Sequence, residues 1–186
     1  MPIEKSFFQH LAQEVLATLP PEDRFSEEDA RVIAEHKDFL LSLTEELVQA
    51  FYDSLFAHEP TRAVFREGER PKREETLRAW WRRTVEGPFD EAYWAWQAYV
   101  GLLHVRRKVT NTMMIGHAEL VATFVGGKAH AQGLPRLAEA VHRLMANVAA
   151  LVVNGYEEVY KKALEEMTGQ SRNLLEHSVE IAVKDL

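Results

Sequence analysis

Apolar residues recur along this chain at intervals of three and four, and no stretch alternates with the two-residue period of a half-buried strand. The pattern predicts a helix over residues 3–18, stopped at Pro20-Pro21. Ser26-Glu27-Glu28-Asp29 resembles a capping box, in which a serine and an acid three residues on satisfy each other's free backbone donors, and it opens a second helix. That helix runs into a third, which carries Leu43, Leu47, Phe51, Ser54 and Leu55 before Pro60 stops it. Residues 61–70, TRAVFREGER, read as a charged loop. Pro71 suits the start of a helix over 72–85, ended by Gly87-Pro88. Asp90 is a plausible N-cap for a helix over 91–106, and another covers 111–125 and ends at Gly126-Gly127.

The last long helix begins near Pro135. Its Leu137, Val141, Leu144, Val148, Leu151 and Gly155 recur at spacings of four and three, and Ala138, Met145, Val152 and Val159 widen that stripe. Such a face can serve an internal core and a partner helix together, or an internal core alone. The first alternative predicts a homodimer through the last two long helices. From Gln170 to Leu186 the chain is polar and helix-permissive, a tail packed locally or a linker toward a further module. The expected architecture is all-α, with six to eight helices and short loops: a main domain over 1–168 and a tail over 169–186.

Composition narrows the class. With 186 residues, 46% hydrophobic and 27% charged, the chain is expected to form one soluble domain. A net charge of −7 argues against non-specific nucleic-acid binding. The absence of cysteine excludes disulfides, thiolate metal sites and cysteine catalysis, and suits a cytoplasmic location. The start MPIEKSFFQHLAQEV is amphipathic and carries acids, unlike a signal peptide, and no apolar run reaches the roughly 20 residues of a membrane span. Neither a nucleic acid nor a membrane is expected as a partner.

Candidate chemistry rests on eight histidines. None stands in an HExxH motif, and Glu139–His142 supplies one ExxH pair where a di-iron bundle needs two pairs and two more glutamates. No GxSxG, P-loop or GxGxxG occurs. His104 stands out in YWAWQAYVGLLHVRRK, residues 93–108. On a helix, Tyr93, Trp96 or Gln97, Val100 and His104 share one face, while Trp94, Ala98, Tyr99 and Leu102 make the others apolar too. A buried imidazole needs a partner for each ring nitrogen. Two solutions are open: a hydrogen-bonded core histidine, or an iron ligand whose apolar walls hold a flat cofactor. The cations Arg106, Arg107 and Lys108 complement the helix C-terminus in the first reading, and the propionates of a haem in the second.

The stretch Tyr99–Lys108 resembles the proximal segment of protoglobins and of the globin domains of globin-coupled sensors, where a V-G-L-x-H-x-R element carries the haem-ligating histidine. Val100, Gly101, Leu102, His104 and Arg106 match it, and Lys108 fits the protoglobin version. LVQAFYDSLF, residues 47–56, is similar to the segment in which an aromatic-Tyr pair lies over the distal face of the haem, here Phe51 and Tyr52. The resemblance extends to about residue 165. It implies a globin-like helical sandwich with an extra N-terminal helix, holding haem b with His104 on the iron and Tyr52 as distal donor. Phe51, Leu77, Trp80, Trp81, Val100, Met114 and Phe124 would shape the pocket, and Arg106 would meet the propionates. His117, in an apolar helix without the family motif, is the weaker rival for the iron. The implied function is binding of oxygen, carbon monoxide or nitric oxide at ferrous iron, as a gas sensor or gas-binding globin rather than an enzyme. A sensor would pass a shift of the His104 helix to a dimer partner or a downstream signalling module. The competing readings are a haem-free globin-like interaction module, and a haem enzyme that detoxifies nitric oxide or runs peroxidase-like chemistry.

Overall fold

A computed structural model describes residues 5–184, and among these there are ten α-helices and no strand. They are α1 (Lys5–Thr18), α2 (Glu27–Glu35), α3 (Lys37–Ser42), α4 (Thr44–Ala57), α5 (Glu59–Arg62), α6 (Arg70–Glu86), α7 (Glu91–Arg107), α8 (Asn111–Ala131), α9 (Pro135–Thr168) and α10 (Arg172–Val183). A single 3-10 turn, Pro21–Asp23, links α1 to α2.

The count exceeds six to eight for local reasons. Residues 27–57 form three helices, because His36 leaves helical geometry (φ −109°, ψ 21°) and Leu43 breaks the hydrogen-bond ladder. Pro60 does not stop the third of these. α4 ends at Ala57 with an extended His58, and Pro60 lies in the first turn of α5, where its missing N–H costs nothing. Gly126-Gly127 is not a stop either. α8 runs on to Ala131, and the positive φ that ends it belongs to Gly133, at 71°. Gly126 is buried, and a Cβ there would lie 3.0 Å from His142 Nε2, so this glycine brings α8 close to α9.

The capping box forms as expected. Ser26 Oγ accepts from Asp29 N–H at 3.1 Å, and Asp29 Oδ2 accepts from Ser26 N–H at 2.9 Å. Asp29 is buried and takes an ion pair from Arg143 Nη1 at 2.6 Å, which ties α2 to α9. One turn along α9, buried Asn147 accepts from Phe25 N–H (3.1 Å) and donates to Asp23 O (2.8 Å). The start of α2 is thus pinned at several points.

α9 is the central helix, with α7 and α8 packed along it, α1 laid over α7, and α4 paired with α6. Its stripe of Leu137, Val141, Leu144, Val148, Leu151 and Gly155 is buried within the chain, as are Ala138, Met145 and Val152. Those positions therefore serve the internal core, and a partner helix would have to use another face. Exposed apolar side chains lie further on, at Tyr160, Leu164 and Met167 of α9 and at Leu174, Val179 and Ile181 of α10. α10 has no buried residue and is held by Arg172, paired with Glu158 (2.8 Å) and Glu165 (2.9 Å).

α7 crosses α9 with backbone against backbone. A Cβ on Gly101 would lie 2.4 Å from Tyr156 N and Val152 O, and one on Gly155 would lie 2.0 Å from Ala98 O. Only glycine fits at this crossing, three residues before His104. No helix among the described residues is long and apolar enough to cross a membrane.

Candidate functional site

Helix α7 begins at Asp90, whose side chain accepts from Tyr93 N–H at 2.8 Å. It ends at Lys108 in the left-handed conformation (φ 59°), and Val109 N–H closes back onto His104 O at 3.0 Å. Between these ends the aromatic run forces burial, and it carries two polar side chains inward seven residues apart, Gln97 and His104. Gln97 is fully buried. Its Oε1 accepts from Trp80 Nε1 of α6 at 3.2 Å, while its Nε2 has no partner. Nδ1 of His104 is likewise buried without a partner. The Gln97 side chain also reaches the Tyr93 hydroxyl, which leaves His104 Nδ1 as the atom that is costly in a finished core, on the order of 1–3 kcal/mol, and that marks a place where a further group fits.

His104 is pushed down to about 4, first by burial, then by the nearby charges of His117 and Arg107. His117, on α8, is also pushed down to about 4 by burial. Both imidazoles are therefore neutral at pH 7, each with a lone pair on one ring nitrogen.

An aromatic cluster lies on α4 and α6. Tyr52 is buried in a cluster with Val48, Leu55, Phe51, Phe56, Phe65 and Leu77. Its ring centroid lies 5.3 Å from that of Phe51 and 6.0 Å from that of Phe65. The hydroxyl donates to Arg73 O of α6 at 2.7 Å, and burial pushes it up to about 12. Phe51 also meets His117, edge to face at 5.3 Å and 60°. α4 thus meets α8 through Phe51 and His117 and meets α6 through Tyr52, while α6 meets α7 through Trp80 and Gln97.

At the rim, Glu69 accepts from Arg107 Nη1 (2.9 Å), Arg73 Nε (2.8 Å) and Arg66 N–H (3.0 Å). These partners, Arg107 first, hold its carboxyl at about 2. The pair joins the residue before α6 to the end of α7. Arg106 and Lys108 point to solvent.

The residues singled out from the sequence divide into groups. Phe51, Tyr52 and Leu77 share one cluster, Trp80 reaches α7 through Gln97, and Val100 lies half-buried one turn before His104. Trp81 points the other way, into the main core, where its Nε1 donates to Leu40 O at 3.1 Å. Met114 is buried in that same core. Phe124 is two turns along α8 from His117, with Lys128 Nζ 5.4 Å from its ring centroid. Gln97 and the Glu69–Arg107 pair are additions from the structure. A lone amide among aromatics was a readable signal for Gln97, whereas nothing in the local pattern links Glu69 to Arg107.

A groove of about 680 Å³ lies elsewhere, lined by Leu19, Ile115, Ala118, Glu119, His142 and Ala149 among others. Its one imidazole, His142, is exposed, and the orphaned atoms do not face it, so its size does not make it the site. No group of three or more His, Cys, Asp or Glu side chains is gathered for a metal ion among the described residues. The imidazole of His104 suits an iron that arrives with most of its ligands already in place, as in a porphyrin. An aromatic cluster, a neutral buried imidazole and its unsatisfied nitrogen all fit such a group.

An all-helical domain that carries an orphaned imidazole nitrogen on α7 and a Tyr-containing aromatic cluster on α4 and α6 is what this fold and site define. A family model described as Protoglobin matches residues 24–162. The chain belongs to the protoglobin family, which comprises globin-like proteins that bind haem and diatomic gases and are not enzymes of the usual kind. Among curated proteins none matches the chain.

Proposed function

We propose that this chain binds haem b among α4, α6, α7 and α8, with His104 as the protein ligand to iron, and that it takes up oxygen, carbon monoxide or nitric oxide as a gas sensor or gas-binding globin. The buried, partnerless Nδ1 of His104 is the observation that carries this reading. When bound, the haem supplies a ferrous iron that accepts a diatomic gas reversibly. His104 is kept neutral by its surroundings, so a lone pair is available without loss of a proton. Phe51, Leu77, Trp80 and Val100 exclude water, while Trp81 and Met114 back the wall from the core, and Phe124 extends it along α8. Tyr52 is the hydroxyl donor on the ligand side. To serve a gas it must leave Arg73 O, at a cost of about 1 kcal/mol. Arg107, now on Glu69, and the free Arg106 are the cations for the propionates.

Pairing of two copies through α8 and α9 is part of the same proposal. Ile115 on α8 and Tyr160, Leu164 and Met167 on α9 are the exposed apolar side chains that support it, and α10 would lead to any signalling module. Sedimentation of the purified protein reads the dimer directly, and a monomer at micromolar concentration would refute it.

Absorption spectra of the ferric, ferrous and carbon-monoxide forms, repeated on His104→Ala, test the haem assignment. A Soret band is expected in the native protein and altered ligation in the variant. Unchanged ligation would remove His104 from the iron. Absence of a Soret band despite ample haem would favour the haem-free interaction module.

A further inference from the structure

The cations along α6 and at the end of α7 are unevenly supplied with partners. Arg70 has Asp53 at 2.6 Å and Glu74 at 2.7 Å, and Arg78 grips both carboxylate oxygens of Glu45 at 2.9–3.2 Å. Arg73 and Arg107 share a single carboxylate, that of Glu69, and neither has another among the described residues. They meet on one atom: Oε1 of Glu69 accepts from Arg73 Nε at 2.8 Å and from Arg107 Nη1 at 2.9 Å. Oε2 is taken by Arg66 N–H at 3.0 Å. Two positive forks therefore rest on one oxygen, although each could hold both oxygens of a carboxylate. Glu69 stands at the N-cap position of α6 but makes no side-chain cap bond, so its carboxylate can leave without uncapping the helix.

The two guanidiniums are tied to both candidate site residues. Arg107 follows His104 by three residues on α7, and side chains at that spacing share a helix face. Arg73 O accepts the Tyr52 hydroxyl at 2.7 Å. The pair thus bridges the helix of the proposed iron ligand and the backbone that holds Tyr52. One carboxylate between two cations leaves a positive charge uncompensated there, which suits an incoming carboxylate. The propionates of a haem are such groups. Resting on the haem reading above, we infer that Glu69 is a stand-in carboxylate: it holds Arg73 and Arg107 in the haem-free chain and yields them to a haem propionate on loading. Glu69 then stabilises the chain without haem and opposes haem binding.

The experiment uses the full chain loaded with haem and, in parallel, with haem dimethyl ester, which has no free carboxylate. Loss of each to an excess of a haem-scavenging protein is followed by absorbance. Glu69→Gln should slow the loss of haem about fivefold, the ratio set by one exposed ion pair at the upper end of its range. Loss of the dimethyl ester should not change, and the haem-free variant should melt below the native chain. Glu74→Gln, which removes a partner of Arg70, should leave haem loss as it is. Unchanged or faster haem loss in Glu69→Gln overturns the inference, as does slowing that the ester or Glu74→Gln reproduces, or a haem-free variant that melts no lower. Should Glu69→Gln fail to fold, Glu69→Asp, whose shorter side chain draws the carboxylate back from both guanidiniums, decides by the same comparison. Failure to take up haem at all overturns the haem reading and this inference together. Haem uptake that depends on His104, with a loss rate indifferent to Glu69, overturns this inference alone.

Discussion

Replacing Gly155 by alanine puts a methyl group where a backbone already lies. The new Cβ would stand 2.0 Å from Ala98 O, and ordinary contact begins at 3.4 Å, so α7 and α9 must part by about 1.4 Å. The obstructing atom is a main-chain carbonyl and cannot rotate away. Forced separation of packed elements costs about 1–3 kcal/mol, and here the tight contact argues for the upper end. Alanine returns about 1 kcal/mol through its higher helix propensity. The net loss is about 2 kcal/mol, or a melting temperature lower by about 4–8 °C for a domain of this size. Thermal unfolding followed by far-ultraviolet circular dichroism measures it, with Gly127→Ala as the control. Gly127 is exposed within α8 and its added Cβ would meet nothing within 4 Å, so that variant should gain about 1 kcal/mol. A Gly155→Ala protein that melts at or above the native temperature, or a Gly127→Ala protein that falls as far, refutes the backbone-contact argument.

Other expectations follow from single contacts. Asn147→Ala leaves Phe25 N–H and Asp23 O without their partner and should cost about 2 kcal/mol, seen as a lower denaturant midpoint at unchanged slope. Lys108→Gly relieves the left-handed backbone at φ 59° and should raise the melting temperature by about 2–4 °C; no rise would mean that the conformation carries no strain. Glu69, held at about 2 against an ordinary 4.5, contributes stability that is complete above pH 4.5 and is lost as pH falls toward 2. Glu69→Gln should therefore flatten that part of the acid-unfolding curve, and an identical curve would show that the carboxyl is not linked to folding. Tyr52→Phe loses the bond to Arg73 O, about 1 kcal/mol by thermal melt, and should speed oxygen release from the ferrous protein in a stopped-flow measurement. An unchanged release rate would leave Tyr52 a purely structural residue.

Helix starts were legible because caps are local: Ser26 with Asp29, and Asp90, announce themselves within four residues. Stops were less so. A glycine ends a helix only where the backbone turns to positive φ, and Gly126 instead makes room for a ring on α9, which no window around it reveals. The adjacent tryptophans show the same limit. Neighbours on a helix point about 100° apart, and the helices that receive them decide that Trp80 meets Gln97 while Trp81 meets Leu40. His104 stood out through its motif and through Tyr52 far upstream, and the structure adds that its Nδ1 is buried without a partner. The approach of His117 to Phe51, and of Arg107 to Glu69, depends on how α4, α6, α7 and α8 stack, and leaves no periodicity to read. The wide stripe of α9 was visible, but its width cannot say what covers it. α7 and α8 do, together with α2 and α1.

The glycine crossing also has a mechanical side. α9 is 34 residues long, about 51 Å, and its buried stripe ends at Gly155. From there about 20 Å of rigid rod runs on to Thr168 with Tyr160, Leu164 and Met167 exposed along it. Two backbones touching there leave no side chain that could rotate to take up a displacement. His104 lies one helical turn past Gly101 on α7, so the contact that seats the imidazole's helix is also the base of that exposed length of α9.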